Sequence, residues 1–163
     1  MTVRPIIPYP DPRLSMLAEP VITFDDSLAV LAADLLDTML AAPGIGIAGP
    51  HIGVMQRLAV IQMTPGGQVW TCVNPQIVSS SSVLVRHAEG SISLPGVSEE
   101  IERPDRVTVR YQDLSGNEHQ IDAAGLLGVC LQHEIDQLDG IFWLKRLSRL
   151  KRDRVLKRFL KLT

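Results

Sequence analysis

A chain of 163 residues with 45% hydrophobic and 21% charged side chains has the size and composition of one globular domain, 1–163, with a core of its own. Two cysteines, Cys72 and Cys130, are too few for a disulfide framework, and no run of about 18 apolar residues is present to cross a membrane. The start, Met1-Thr-Val-Arg-Pro-Ile-Ile-Pro, lacks the continuous apolar stretch of a secretory signal, so the expected compartment is the cytoplasm. The net charge of −2 hides an asymmetry. Lys145 to Lys161 holds nine basic residues and one acidic residue, Asp153, giving +8; the other seven basic and seventeen acidic residues give −10. Taken alone, such a run is the solvated outer face of a helix, and it is also the kind of surface that docks on a polyanion such as ribosomal RNA.

In chain order, the proline-rich stretch through Pro20 reads as irregular or extended. Asp25-Asp26-Ser27 offers N-cap chemistry to a helix with Leu28, Leu31, Leu35 and Met39 at helical spacing, Leu36 beside them, and Pro43-Gly44 as its stop. A glycine-rich segment follows, Gly44 to Gly53. Strands are expected over Arg57 to Met63 and Val69 to Val73, separated by the Pro65-Gly66-Gly67 turn, with Val83 to His87 a weaker candidate. Val107 to Tyr111 alternates apolar and polar residues, Ser115-Gly116-Asn117 turns the chain, and His119 to Ile121 returns antiparallel. From Ala124 the pattern is helical, with Leu127, Leu131 and Ile135 in a row, Leu138 adjoining and Gly140 as the stop. A last helix runs from about Ser148 to Leu162 with Leu156, Phe159 and Leu160 on one side. Strands followed by a central helix give an α+β class.

The most informative stretch is Gln132-His133-Glu134-Ile135-Asp136-Gln137. Positions 133 and 137 lie one helical turn apart and share a face. In HExxH hydrolases two histidines at that spacing hold one metal ion while the glutamate acts as general base. Here the second histidine is Gln137, and a helix can carry His-Glu-x-x-Gln by chance. Three segments together are specific. Gly44-Ile-Gly-Ile-Ala-Gly-Pro-His-Ile-Gly53, Glu89-Gly-Ser-Ile-Ser-Leu-Pro-Gly96 and Gln132 to Gly140, with Ile101-Glu-Arg-Pro104 between them, resemble the peptide deformylase family in order and spacing. The likeness extends from Asp11-Pro12-Arg13-Leu14 to Leu147-Ser148.

The resemblance implies a peptide-deformylase-like fold: short antiparallel strands around a central motif-bearing helix, plus a C-terminal helix. It also implies a metal-dependent amide hydrolase that removes the formyl group from N-terminal formylmethionine, with iron or zinc held by one cysteine and two histidines. Carried over residue by residue, one histidine ligand falls on His133 and the catalytic glutamate on Glu134. The cysteine ligand falls on Ser91, the second histidine on Gln137, and the oxyanion glutamine on His51. The backbone oxyanion donor falls on Ile92; Gly44, Ile45, Gly46, Glu89 and Gly90 fall on the substrate-binding motifs.

A serine hydroxyl and a neutral amide are poor replacements for thiolate and imidazole, because zinc sites usually need three or four protein ligands. The expectation is therefore a protein without iron or zinc, its deformylation lost or strongly impaired, that keeps a cleft for N-terminal methionyl or formyl-methionyl peptides. Family resemblance adds ribosome contact through the basic C-terminal helix and a monomeric state. Two alternatives stay open: an active enzyme with a metal on His51 and His133, approached by His87, and a metal-free cluster in which Ser91, His133, Gln137 and His51 satisfy one another. Cys72 and Cys130 read as buried packing residues and His119 as exposed beside its turn.

Overall fold

The computed structural model describes residues 2–163. In chain order the elements are α1 (Asp26–Ala41), β1 (Gly46–Ala48), β2 (Leu58–Gln62), β3 (Val69–Ser80), β4 (Leu84–Ser91), β5 (Leu94–Pro104), β6 (Arg106–Gln112), β7 (Glu118–Ala124), α2 (Gly125–Leu138) and α3 (Arg149–Leu160). Short 3-10 turns occupy Pro12–Ser15, Gly49–Ile52 and Trp143–Arg146. One antiparallel sheet has the order β1-β2-β3-β6-β7, and β4-β5 forms a separate two-stranded ribbon. This is the α+β class expected.

The helices begin and end where their chemistry says they should. The Asp25 carboxylate accepts from the Leu28 N–H and starts α1, whose Leu28, Leu31, Leu35 and Met39 are buried against Ile47, Leu58, Val60 and Val73. Helix α2 is buried on almost every side: Leu131, Ile135 and Cys130 pack on Ile61, Cys72, Val107 and Val109, and the polar Gln132, Glu134, Asp136 and Gln137 are buried with them. Each of those polar groups must find a partner or carry a desolvation penalty. Ser148 caps α3 by accepting from the Lys151 N–H, and α3 docks through a fully buried Val155 with Leu156 and Phe159 beside it. Leu160, expected on that inner side, is exposed instead. Among the described residues no helix is long and apolar enough to cross a membrane.

Three strand expectations need correction. The glycine-rich segment contains β1, an edge strand paired only with β2. Strand β5, which contains Pro95, Gly96 and Pro104, was not expected. A two-stranded ribbon tolerates them, since proline can sit at a strand end or on an unpaired edge. Strand β3 continues past Val73 to Ser80 by bulging at Val73/Gln76 and Ile77/Ser79. At the first bulge Asn74 takes a left-handed φ of 51°. Its side chain then pairs with the extended N-terminal segment as a strand would: Asn74 Oδ1 accepts from Val21 N at 2.8 Å, and Nδ2 donates to Val21 O at 2.9 Å and to Gln112 Oε1 at 2.8 Å.

Cys72 and Cys130 are buried and free. Exposed His119 stands 2.8 Å from Asp113 beside its turn. Gly140, the expected stop of α2, has φ 77°, and a Cβ there would lie 2.9 Å from the Met16 carbonyl carbon and 3.0 Å from Ser15 O. Gly66 has a similar φ of 75° but open space around it. Gly66→Ala should therefore cost only the left-handed strain of about 1 kcal/mol, and Gly140→Ala about 2–3 kcal/mol or more. Urea unfolding of the two variants against the parent checks the difference.

Candidate functional site

The end of α1, strand β1, the β4–β5 turn and one face of α2 enclose a cleft of about 510 Å³. One wall is the Gly44-Ile45-Gly46 segment, the opposite wall is Glu89-Gly90-Ser91-Ile92 with Pro95 to Val97, and the floor is Leu126, Val129, Cys130, His133 and Glu134. His51 and Ile6 complete the lining. Gly46 lets β1 approach the helix: a Cβ there would stand 2.6 Å from Glu134 Oε2.

A row of buried charges fixes the floor. The His133 Nδ1–H donates to Glu89 Oε1 at 2.9 Å. Arg103 grips Glu89 with two bonds, Nε to Oε2 at 2.6 Å and Nη2 to Oε1 at 2.9 Å. Its remaining nitrogen, Nη1, donates to Asp136 Oδ2 at 2.9 Å, and Arg146 forks onto the same Asp136 carboxylate at 2.9 and 2.6 Å. The row thus links β4, β5, α2 and the turn before α3. Burial pushes Glu89 up, but the hydrogen bonds from His133 and Arg103 outweigh it and hold its carboxyl below the usual range. For His133 burial acts downward, and the Glu89 hydrogen bond together with the Glu134 charge outweighs it, so its pKa is raised.

Two buried polar atoms beside this row have no partner: His51 Nε2 and Glu134 Oε1. His51 is 1% exposed, and its Nδ1 accepts from the Ala48 N–H at 2.9 Å. That bond leaves the ring proton on Nε2 and the ring neutral. Burial, reinforced by the His133 charge, carries the His51 pKa down to about 3. Glu134 Oε1 lies 3.9 Å from His51 Nδ1, too far for a hydrogen bond. Burial raises the Glu134 carboxyl to about 7, with Glu89 and Asp136 adding to the effect and His133 opposing it.

The structure brings Gly44, Ile45, Gly46, His51, Glu89, Gly90, Ser91, Ile92, His133 and Glu134 to one cleft and leaves Gln137 out of it. Gln137, 2% exposed, donates its Nε2–H to Leu14 O at 2.8 Å. Ser91 Oγ accepts from the Ser93 N–H at 3.1 Å. No direct hydrogen bond joins Ser91, His133, Gln137 and His51 to one another; their bonds run to Ser93, Glu89, Leu14 and Ala48. His87 lies on β4 outside the cleft lining.

An iron or zinc ion does not fit this donor set. Of the three ligand positions implied by resemblance, only His133 turns an uncommitted nitrogen toward the cleft. Among the described residues no three His, Cys, Asp or Glu side chains group to hold a metal ion. Sequence reasoning did not single out Arg103 as a site residue, although it lies in Ile101-Glu-Arg-Pro104. A lone arginine in a strand carries no signal until its two carboxylates are known.

Comparison with known proteins agrees with this layout. The profile of the polypeptide deformylase family matches residues 3–153. A Brucella melitensis protein named peptide deformylase-like is 57% identical over 162 residues, covering 99% of each chain. A Rhizobium meliloti protein named peptide deformylase is 45% identical over 164 residues, covering 99% of this chain and 94% of its own. Among solved structures, a peptide deformylase from Legionella pneumophila superposes with TM-score 0.91 at 42% identity, covering 99% and 97% of the two chains. One from Ehrlichia chaffeensis in complex with actinonin gives 0.92 at 40% identity, covering 99% and 98%.

Replacing Arg103 by Met would strand Glu89 and the inner side of Asp136. Removing one partner from a buried ion network costs about 3–5 kcal/mol, so Arg103→Met should lose stability on that scale in urea unfolding. The His133 ring should at the same time lose its fixed orientation, read as broadening of its imidazole resonances.

Proposed function

The chain belongs to the peptide deformylase family, and from that premise we propose that it is a metal-free member that holds N-terminal methionyl or formyl-methionyl peptides in its cleft without hydrolysing them. The observation that supports this most is Gln137. It offers only a neutral amide where a second imidazole would be needed, and it spends its Nε2–H on Leu14 O. Ser91, engaged by the Ser93 N–H, lacks the anionic sulfur that binds such metals strongly. Without a metal no water of low pKa is generated. Glu134 then remains as a buried carboxyl beside a cleft rather than as the proton carrier of a hydrolase.

The peptide-sized part of the cleft argues for retained binding. Ile45, Ile92, Leu126 and Val129 supply an apolar lining for a methionine side chain, and β1 presents a sheet edge that an extended peptide can pair with. Residues 1–163 act in this reading as one domain, in the cytoplasm, as a monomer. Helix α3 adds a docking face: Arg149, Arg154, Lys157 and Arg158 are exposed while Val155 is buried, so the positive charge faces outward. Ribosomal RNA is the polyanion that fits a family acting on N-terminal formyl-methionyl peptides.

Elemental analysis of protein purified without chelator and without oxygen, beside a formyl-Met-peptide hydrolysis assay, tests the core of the proposal. The expected result is far less than one metal per chain and no turnover. Near-stoichiometric metal with turnover would establish the competing reading, a hydrolase with an ion on His51 and His133. The triple variant Ser91→Cys, Gln137→His, His51→Gln should gain both metal and deformylation. For the ribosome, Arg149→Glu, Arg154→Glu and Lys157→Glu together leave the Val155 face untouched. They should abolish co-sedimentation at low salt if α3 is the docking face; unchanged co-sedimentation removes that part of the proposal.

A further inference from the structure

Helix α2 has a second cavity against it. Residues two apart on a helix point about 200° away from each other. His133 and Glu134 line the cleft, whereas Ile135 and Asp136 line a separate recess of about 560 Å³, and no residue lines both. The facing wall of the recess is the bulged part of β3, residues 74–77, where the strand departs from regular pairing. Two guanidinium groups and two carboxylates stand in it: Arg57, Arg146, Asp136 and Asp139. The acids are already met. Asp136 accepts one bond from Arg103 and two from Arg146, and Asp139 Oδ1 accepts from Arg57 Nη2 at 2.7 Å, with its other oxygen on a side chain 42% exposed to water. The arginines are not used up. Arg57 spends Nη1 on Leu138 O and Nη2 on Asp139, and Arg146 spends Nε and Nη2 on Asp136. Among the described residues Arg57 Nε and Arg146 Nη1 have no acceptor. The Arg57 side chain is only 14% exposed, so water has limited access to it.

We propose that this recess binds a small organic monocarboxylate with an apolar body, its carboxylate taken by Arg146 and Arg57 and its body lying against Ile77, Ile135 and Ile141. Spare donors with committed acceptors select a ligand that accepts hydrogen bonds, and a planar guanidinium suits a carboxylate in particular. An ammonium of the same shape would bring more donors to acids already bonded and would face two guanidinium groups. The three isoleucines supply the apolar surface that such a ligand's body needs, in a cavity of the size small molecules occupy. Because the recess shares no lining residue with the cleft, its ligand is independent of what the cleft holds. No covalent step is involved.

The isoleucines also make the test. Ile77, Ile135 and Ile141 line the recess, and Ile6, Ile45 and Ile92 line the cleft, so methyl spectra of the full chain labelled at isoleucine report the two cavities separately. 2-Naphthoate is the probe, and 2-naphthylmethylammonium is its counterpart of opposite charge. 2-Naphthoate should shift the methyls of Ile77, Ile135 and Ile141 and saturate with a dissociation constant of about 1 mM or below. The ammonium should bind there at least roughly tenfold more weakly, and Arg146→Gln should weaken 2-naphthoate by roughly tenfold, the factor for one lost charge-assisted hydrogen bond. Asp136 keeps Arg103 in that variant; if it still does not fold, the comparison of the two probes on the parent protein carries the same test. Shifts confined to Ile6, Ile45 and Ile92, no saturable shift at all, equal or tighter binding of the ammonium, or a folded Arg146→Gln variant of unchanged affinity each overturns the carboxylate site.

Discussion

The buried bond between Arg103 and two carboxylates is the constraint on which the site depends. Glu89 belongs to the β4–β5 ribbon and Asp136 to α2, and these two bodies make one wall and the floor of the cleft. Apolar contacts alone would let the ribbon slide over the helix, because hydrophobic burial is non-directional. A guanidinium with three committed nitrogens has one geometry, so the ribbon sits at one height and angle. Glu89 passes that geometry on to the His133 ring, and Arg146 passes it outward to the turn that precedes α3. Each charge in the row is satisfied by the next, which is what makes such a costly burial tolerable.

Against that intact support, the departures at Ser91, Gln137 and His51 differ in kind. Ser91 and Gln137 have each found a backbone partner close at hand, so their polar groups are quiet. Gln137 also ties α2 to the N-terminal segment at Leu14. His51 has done the opposite: one nitrogen is bonded to Ala48 and the other is left open beside an equally open Glu134 oxygen. A pocket that had merely decayed would be expected to fill or to soften. Here the charged row is intact, and two of the unsatisfied buried atoms, on His51 and Glu134, belong to residues that line the cleft.

Much of this was legible in the sequence because it rests on local spacing. Helices α1 and α2 follow from leucine rows and caps, and the residues of the cleft follow from three glycine-marked motifs whose order is specific. What was not legible depends on distance along the chain. The partner of Gln137 is 123 positions away, and no pattern in the helix announces it. Arg103 carries meaning only once β4 and α2 are placed on either side of it. Strand β5 was hidden by Pro95, Gly96 and Pro104, which end strands inside a sheet but are admitted in a ribbon with free edges. Leu160 followed its neighbours in spacing yet faces solvent, because the apolar contact of α3 with the body runs through Val155, Leu156 and Phe159.

The Asn74 clasp has a consequence for the chemical lifetime of the chain. An asparagine that holds a strand and a loop together through both ends of its amide is a weak point, since loss of the nitrogen would set a carboxylate against Val21 O and Gln112 Oε1. Spontaneous deamidation begins when the next backbone nitrogen attacks the side-chain carbonyl. The next residue is Pro75, whose nitrogen has no hydrogen and is already bonded to three carbons. Pro75, which lies within the β3 bulge, therefore also shields the amide there from ageing.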